Sequence, residues 1–351
     1  MFNIRIAVAG ALSVDICPSF TQKCDGDFGH IITPGRITHI EGNEIHPGGP
    51  VANTGIALRI FGTHPVLCAR IGRDSMGKML YEMLNKKLRP FNADTVSIGE
   101  EDSTAYSIIL APQGCDRAIL QNPGANDHFT ADDINWTEVK KCRMFHFGHP
   151  STMAKMYEND GAELVSIMKK ADSLGLVTSL DLCAIDPSSD AAKADWKKIL
   201  SQVLPYVDFF LPSIGDLEGI LTDDAENADI GEIANELHKA GAKSLLIKLG
   251  EKGMYYNNPG GDFFRIIEKK LRLSAHYMEN WENREGYAAA IRPEKIVSGL
   301  GAGDVSIAAF LAAILHGLPF DEAMHLALAE GSLCLQDASA TGSILPFNKL
   351  I

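Results

Sequence analysis

Gly301-Ala302-Gly303-Asp304 stands immediately before an apolar stretch, residues 305–315, whose spacing is that of a buried helix. Small residues let backbone N–H groups approach a ligand closely. The first amides of a helix, left without intrahelical partners, present the positive end of its dipole to an anion. A carboxylate at that point is suited to taking a proton beside a phosphoryl group, and the amides are suited to holding the charge that develops.

Other constellations could complete such a site. In the segment 47–62, Gly48-Gly49 precedes a helical apolar pattern and Asn53 falls in its first turn, where an amide side chain offers donors and an acceptor to a polyol. Asp15 follows the first predicted strand, and a carboxylate there can accept from two sugar hydroxyls or simply sit in a turn. Lys248-Leu249-Gly250-Glu251-Lys252-Gly253 reads as a glycine-rich turn between two strands, able to run close to a nucleotide. Asp74, in a Gly72-Arg73-Asp74-x-x-Gly77 turn, reads as a helix cap. His146 and His149 read as structural or substrate-facing histidines rather than a zinc pair. The chain has no G-x-x-x-x-G-K-[ST], and no G-x-G-x-x-G follows its first strand, which disfavours two large nucleotide-binding classes.

The elements that must position these residues alternate. Strands are expected at 144–147, 176–181, 207–211 and 244–248, with helices at 164–174, 196–204 and 230–240 between them. This predicts a mostly parallel sheet covered by helices on both faces, with ligands beyond the carboxyl ends of its strands. The N-terminal third differs. Segments of about 15–46 and 102–122, with short strands expected at 31–32, 37–40, 104–110 and 117–120, predict a small β lid inserted in a single domain spanning 1–351. The polar segment 269–292, which carries Trp281, reads as a helical excursion, an oligomer contact or a surface loop.

Composition narrows the function classes. In 351 residues, 46% are hydrophobic and 22% charged, ordinary for a globular chain with a sizeable core. A net charge of −13 argues against nucleic-acid and anionic-membrane partners, so any phosphate site must be local. The apolar N-terminal run is too short for a signal peptide, and no apolar run approaches a bilayer span, so a cytoplasmic protein is expected. Seven scattered cysteines without a C-x-x-C pair are expected to be reduced thiols.

Taken together and in this order, Gly48-Gly49-x-x-x-Asn53, Gly72-Arg73-Asp74-x-x-Gly77, Lys248-Leu249-Gly250-x-x-Gly253 and Gly301-Ala302-Gly303-Asp304 resemble the ribokinase-like PfkB family of carbohydrate kinases over nearly the whole chain. The resemblance implies a three-layer α/β/α domain with a β lid that transfers the γ-phosphoryl group of ATP to a sugar hydroxyl. By that likeness Asp304 is the general base, and the amides of Gly301, Ala302 and Gly303 form the anion hole. Asp15, Gly48, Gly49 and Asn53 hold the sugar, while Lys248, Gly250, Gly253 and Ser213 border ATP. Asp216 would hold Mg²⁺ through water, and a homodimer through the lid is expected. The chain departs from the family's pattern at Ser298-Gly299-Leu300, where relatives carry residues that help bind a monovalent cation, and at Ser213-x-x-Asp216, where they carry Asn-x-x-Glu. The departures leave a monovalent cation open. They also keep two further readings: a nucleoside kinase of the same fold, and a catalytically degraded sugar- or nucleotide-binding regulatory protein.

Overall fold

The computed structural model describes residues 4–115, 117–273 and 277–350. Its strands, in chain order, are β1 (Arg5–Gly10), β2 (Ser13–Phe20), β3 (Ile40–Gly48), β4 (His64–Gly72), β5 (Val96–Gly99), β6 (Tyr106–Leu110), β7 (Ala118–Asn122), β8 (Met144–Gly148), β9 (Val177–Leu180), β10 (Phe209–Phe210), β11 (Ser244–Lys248), β12 (Met254–Asn258) and β13 (Arg284–Ala288). The longer helices are α1 (Gly49–Ile60), α2 (Ser75–Lys87), α3 (Ala162–Ser173), α4 (Trp196–Val203), α5 (Ile230–Lys239), α6 (Phe263–Leu271), α7 (Ala302–His316) and α8 (Phe320–Cys334).

Nine strands form one sheet in the order β13-β12-β11-β10-β9-β8-β1-β4-β5, parallel from β11 to β5 and antiparallel at β12 and β13. Side chains alternate across it. Ile6, Val8, Met144 and Phe209 point into a core with α1, α2, α6, α7 and α8, while Ala7, Ala9, Phe145 and Phe210 point into a second core with α3, α4 and α5. This is the three-layer α/β/α arrangement that the strand–helix alternation predicts. The chain winds outward from β1 in both directions, so the order switches beside β1, and the crevice at the carboxyl ends opens there.

The remaining strands form a separate four-stranded sheet, β3-β2-β6-β7. Its β3 begins at Ile40, so the strand expected at 37–40 starts at its last residue, and 31–32 is not a strand. Only Phe209–Phe210 of the expected strand 207–211 is assigned as strand. Segment 269–292 is not simply a surface loop: it ends α6, supplies the fully buried Trp281 and then forms β13, the edge strand. A tryptophan stacked against Phe264, Phe310 and Phe320 is core material inside a polar-looking stretch.

The expectation of seven reduced cysteines also needs correction. Cys24 and Cys115 form a disulfide, while Cys17, Cys68, Cys142, Cys183 and Cys334 are free. The two bonded residues lie 91 positions apart and meet because β2 and β6 pair, which no cysteine spacing reveals. No helix among the described residues is long and apolar enough to cross a membrane.

Candidate active site

The polar side chains that converge in the crevice come from the carboxyl ends of the parallel strands or from the segments just beyond. β1 passes through Ala11-Leu12 into β2, where Asp15 lies opposite His46 of β3 and Ser107 of β6. Asp15 is buried, and the Ser13 hydroxyl donates to its Oδ1 at 3.1 Å. A Cβ on Gly48 would come within 2.1 Å of the Asp15 carboxylate, so glycine there keeps the approach to that carboxylate open. Burial raises the Asp15 pKa to about 6; the hydrogen bond from Ser13 opposes the rise and the nearby Asp304 charge adds to it.

Asp304 lies in the first turn of α7 and is 5% exposed. Its Oδ2 accepts a hydrogen bond of 2.8 Å from Asn53 Nδ2, near the start of α1, which Gly49 opens with φ 77°. The glycine-rich starts of two helices, 251 positions apart, are thereby locked together through their functional side chains. Gly301 caps α7 with φ 71°, and a Cβ there would meet Ala340 at 2.4 Å and Asn53 Nδ2 at 3.1 Å. Only glycine fits both the backbone and the space. The bond from Val305 N–H to the Gly301 carbonyl (2.9 Å) opens the helical ladder, so the preceding amides have no intrahelical acceptor.

His149 follows β8 with a left-handed backbone, φ 58°. Its Nε2 lies 3.5 Å from Asp304 Oδ1 and 3.8 Å from Asp181 Oδ2. Asp181, just past β9, is tied through Oδ1 to Lys248 Nζ at 2.7 Å, and the same ammonium donates to the Leu211 carbonyl at 2.8 Å. Burial pushes the Asp181 pKa up to about 6 against the pull of Lys248. Burial alone would lower the Lys248 pKa, but the carboxylates of Asp181, Asp216 and Asp304 outweigh it and raise that pKa. Ser213 and Asp216 cap each other: the Ser213 N–H donates to Asp216 Oδ2 (2.6 Å) and the Asp216 N–H to Ser213 Oγ (3.2 Å).

On the other side of the α7 start lies a cavity of about 570 Å³, within the range that holds small ligands. Lys248, Gly250, Gly253, Ala302 and Gly303 line it on one side, and Ile291, Ile296, Leu328 and Leu335 give it an apolar end. Gly250 and Gly253, with φ 58° and 96°, flank the tight turn between β11 and β12 at its rim.

The structure thus brings Asp304, Asn53, Gly301, Ala302, Gly303 and Lys248 together, with Asp15, Gly48 and Gly49 on the side of the second sheet. Ser213 is not among the residues lining the cavity, and its hydroxyl is engaged by Asp216. Asp74 is a cap, accepting from Gly77 N–H at 2.7 Å. His146 is structural: it is fully buried and bonded to Ser179, and burial drives its pKa down to about 3. Sequence reasoning assigned no role to Asp181 and left His149 between two. The ends of the predicted strands 144–147 and 176–181 carried the available signal, since every such end in a parallel sheet borders the crevice.

A family model described as pfkB family carbohydrate kinase matches residues 21–347. The chain belongs to the pfkB family of carbohydrate kinases. It is a phosphotransferase acting on an alcohol group, a sugar kinase with a ribokinase-like fold. Among pfkB relatives, a probable fructokinase-5 of Arabidopsis thaliana is 26% identical over 307 residues, covering 84% of this chain and 83% of its own. A solved Arabidopsis thaliana ribokinase complexed with ribose and ATP superposes with a TM-score of 0.71 at 19% identity, over 99% of this chain and 98% of the other. A Burkholderia thailandensis nucleoside kinase in complex with inosine gives 0.69 at 15%, over 98% and 96%. At these identities the structural matches establish the fold.

Proposed function

We propose that this pfkB protein transfers the γ-phosphoryl group of ATP to a hydroxyl of a small carbohydrate. The observation that carries the reading is Asp304 held by Asn53 at the open end of α7, between the ligand-sized cavity and Asp15. Asn53 donates to Oδ2, and Oδ1, which has His149 Nε2 at 3.5 Å, is the oxygen that would take the acceptor's proton. The hydroxyl oxygen then bonds to the γ-phosphorus as the bond to the β-phosphate oxygen breaks, leaving ADP and a sugar phosphate. The unpaired amides of Gly301, Ala302 and Gly303 stabilise the charge on the transferring group, and Gly250 and Gly253 border the nucleotide beside Lys248. Asp15 and Asn53 hold the sugar, with Gly48 and Gly49 keeping the backbone close to it.

Phosphoryl transfer of this kind uses Mg²⁺, and the donor set suits it. Asp181, Asp216 and Asp304 put three buried carboxylates near a single ammonium, a net acidic, oxygen-rich surrounding. Asp216 would hold the ion through water, and the bound ion would neutralise phosphate oxygens. The second sheet exposes Ile40, Ile45, Ile119 and Leu120, which supports a homodimer formed through it.

The test is ADP release from ATP in the presence of individual ketoses, aldoses, sugar acids and nucleosides, with and without potassium. A sugar should give the highest kcat/KM. A nucleoside preferred over every sugar would move the assignment to nucleoside kinases, and no stimulation by any acceptor would favour a binding protein on this scaffold.

A further inference from the structure

The second sheet consists of two hairpins, β2/β3 and β6/β7. They are joined to each other by only three parallel pairs at their root, Val14↔Tyr106, Asp15↔Ser107 and Ile16↔Ile108. Beyond Ile16 the strands part: Cys17 to Phe20 pair with β3, while Ile109 and Leu110 pair with β7. Two such hairpins, hinged at one end, would move apart at their tips. At the tips, however, the chain segments meet again. Cys24 N–H donates to the Gln113 carbonyl at 2.8 Å, and a Cβ on Gly114 would touch the Cys24 carbonyl at 2.2 Å. The Cα atoms of Cys24 and Cys115 stand 5.4 Å apart, the ordinary separation for a disulfide. The root that this frame braces carries Asp15, paired across β2 and β6 with Ser107.

We propose that Cys24 and Cys115 form a redox-sensitive tether that fixes the two hairpins as one frame over the sugar side of the site, and that its reduction loosens the sugar site without touching the nucleotide site. The proposal rests on the kinase reading for its catalytic consequence alone. The chemistry is thiol–disulfide exchange. A dithiol reductant attacks the more accessible Cys115 sulfur, the Cys24 thiolate leaves, and the second thiol of the reductant resolves the mixed disulfide. Two cysteine thiols and an oxidised reductant result. The reverse step consumes a low-molecular-weight disulfide, whose two halves leave as thiols while Cys24 and Cys115 become linked. Cys24 is 7% exposed and Cys115 is half-buried, so exchange enters from the Cys115 side. The frame offers control at a point where the covalent change lies away from Asp304, yet acts on the strand pair that holds Asp15.

The experiment compares the full chain after treatment with dithiothreitol and with oxidised glutathione. Alkylation followed by peptide mapping reads the state of Cys24 and Cys115, and hydrogen exchange is followed over 21–39 and 109–115. Steady-state kinetics use the best acceptor sugar. Reduction should free two alkylatable thiols at these positions and speed exchange in both segments. It should raise the sugar KM by roughly threefold or more, leaving the ATP KM within about twofold. Cys24→Ser and the double variant Cys24→Ser/Cys115→Ser should behave as the reduced protein in both treatments. The proposal is overturned if both cysteines remain alkylatable after the disulfide treatment, or if exchange and sugar KM are the same in the two states. If no sugar is phosphorylated in either state the kinase reading fails, while mapping and hydrogen exchange still judge the tether.

Discussion

The two sheets of this molecule are buried to different depths. In the large sheet β8 is buried at every residue and β9 likewise, because helices cover both faces. In the small sheet six of the nine residues of β3 and four of the five of β7 are exposed. The large sheet's crevice residues, Asp181, His149 and Lys248, and the helix that carries Asp304 are held by close packing, whereas Asp15 sits at the root of a structure with one open face. On the proposed reading, the base and the anion hole thus belong to the buried body, and the acceptor side belongs to the more exposed sheet, where the disulfide lies.

The largest effect that could break this contrast is in the large sheet. Phe209→Ala, at a site with no exposure and rings of Phe263 and Phe310 against it, should lower unfolding free energy by about 3–5 kcal/mol in urea titration. A loss below about 1 kcal/mol would mean that the body is not packed as described. Next comes Asp15→Asn, which on the proposed reading removes an acceptor for sugar hydroxyls and should raise the sugar KM roughly tenfold at pH 8. In the wild type the charged form of Asp15 is lost as pH falls through about 6, so the sugar KM should climb below that pH, and the variant should lack this limb. Folding is linked in the opposite sense. With the folded pKa raised from 3.8 to about 6, the native state holds more proton, so this group's contribution to stability declines as pH rises through that window. An unchanged KM profile in the variant would remove Asp15 from the sugar site. The smallest effect is Leu120→Ala on β7, 57% exposed, which should change stability by less than about 0.5 kcal/mol in the monomer. A larger loss that depends on protein concentration would place β7 in a subunit contact.

The contrast also explains what could be read from the chain. The parallel strands and their helices were legible because burial on both faces leaves apolar runs between amphipathic stretches, and predicted helices 164–174 and 230–240 lie within a residue or two of α3 and α5. The small sheet blurs that signal: with one face open its strands carry few apolar residues, so the apolar pairs at 31–32 and 37–40 read as strands, although β3 begins only at Ile40. Trp281 and β13 hid in a polar segment because an edge strand alternates exposed and half-buried residues and needs few apolar ones. Within the site, helix-start glycines with Asn53 and Asp304 were readable from spacing, since backbone approach demands glycine whatever the partner. The Asp181–Lys248 pair and the placing of His149 were not, because they depend on which strands lie side by side.

The central claim is that Asp304 takes the acceptor's proton. Its most direct test is Asp304→Asn, measured in single-turnover transfer of the γ-phosphoryl group from ATP to the best acceptor sugar, with sugar affinity determined on the same protein. The account predicts a fall in the transfer rate of roughly a thousandfold, with sugar binding changed far less. Transfer at the wild-type rate in Asp304→Asn would contradict it.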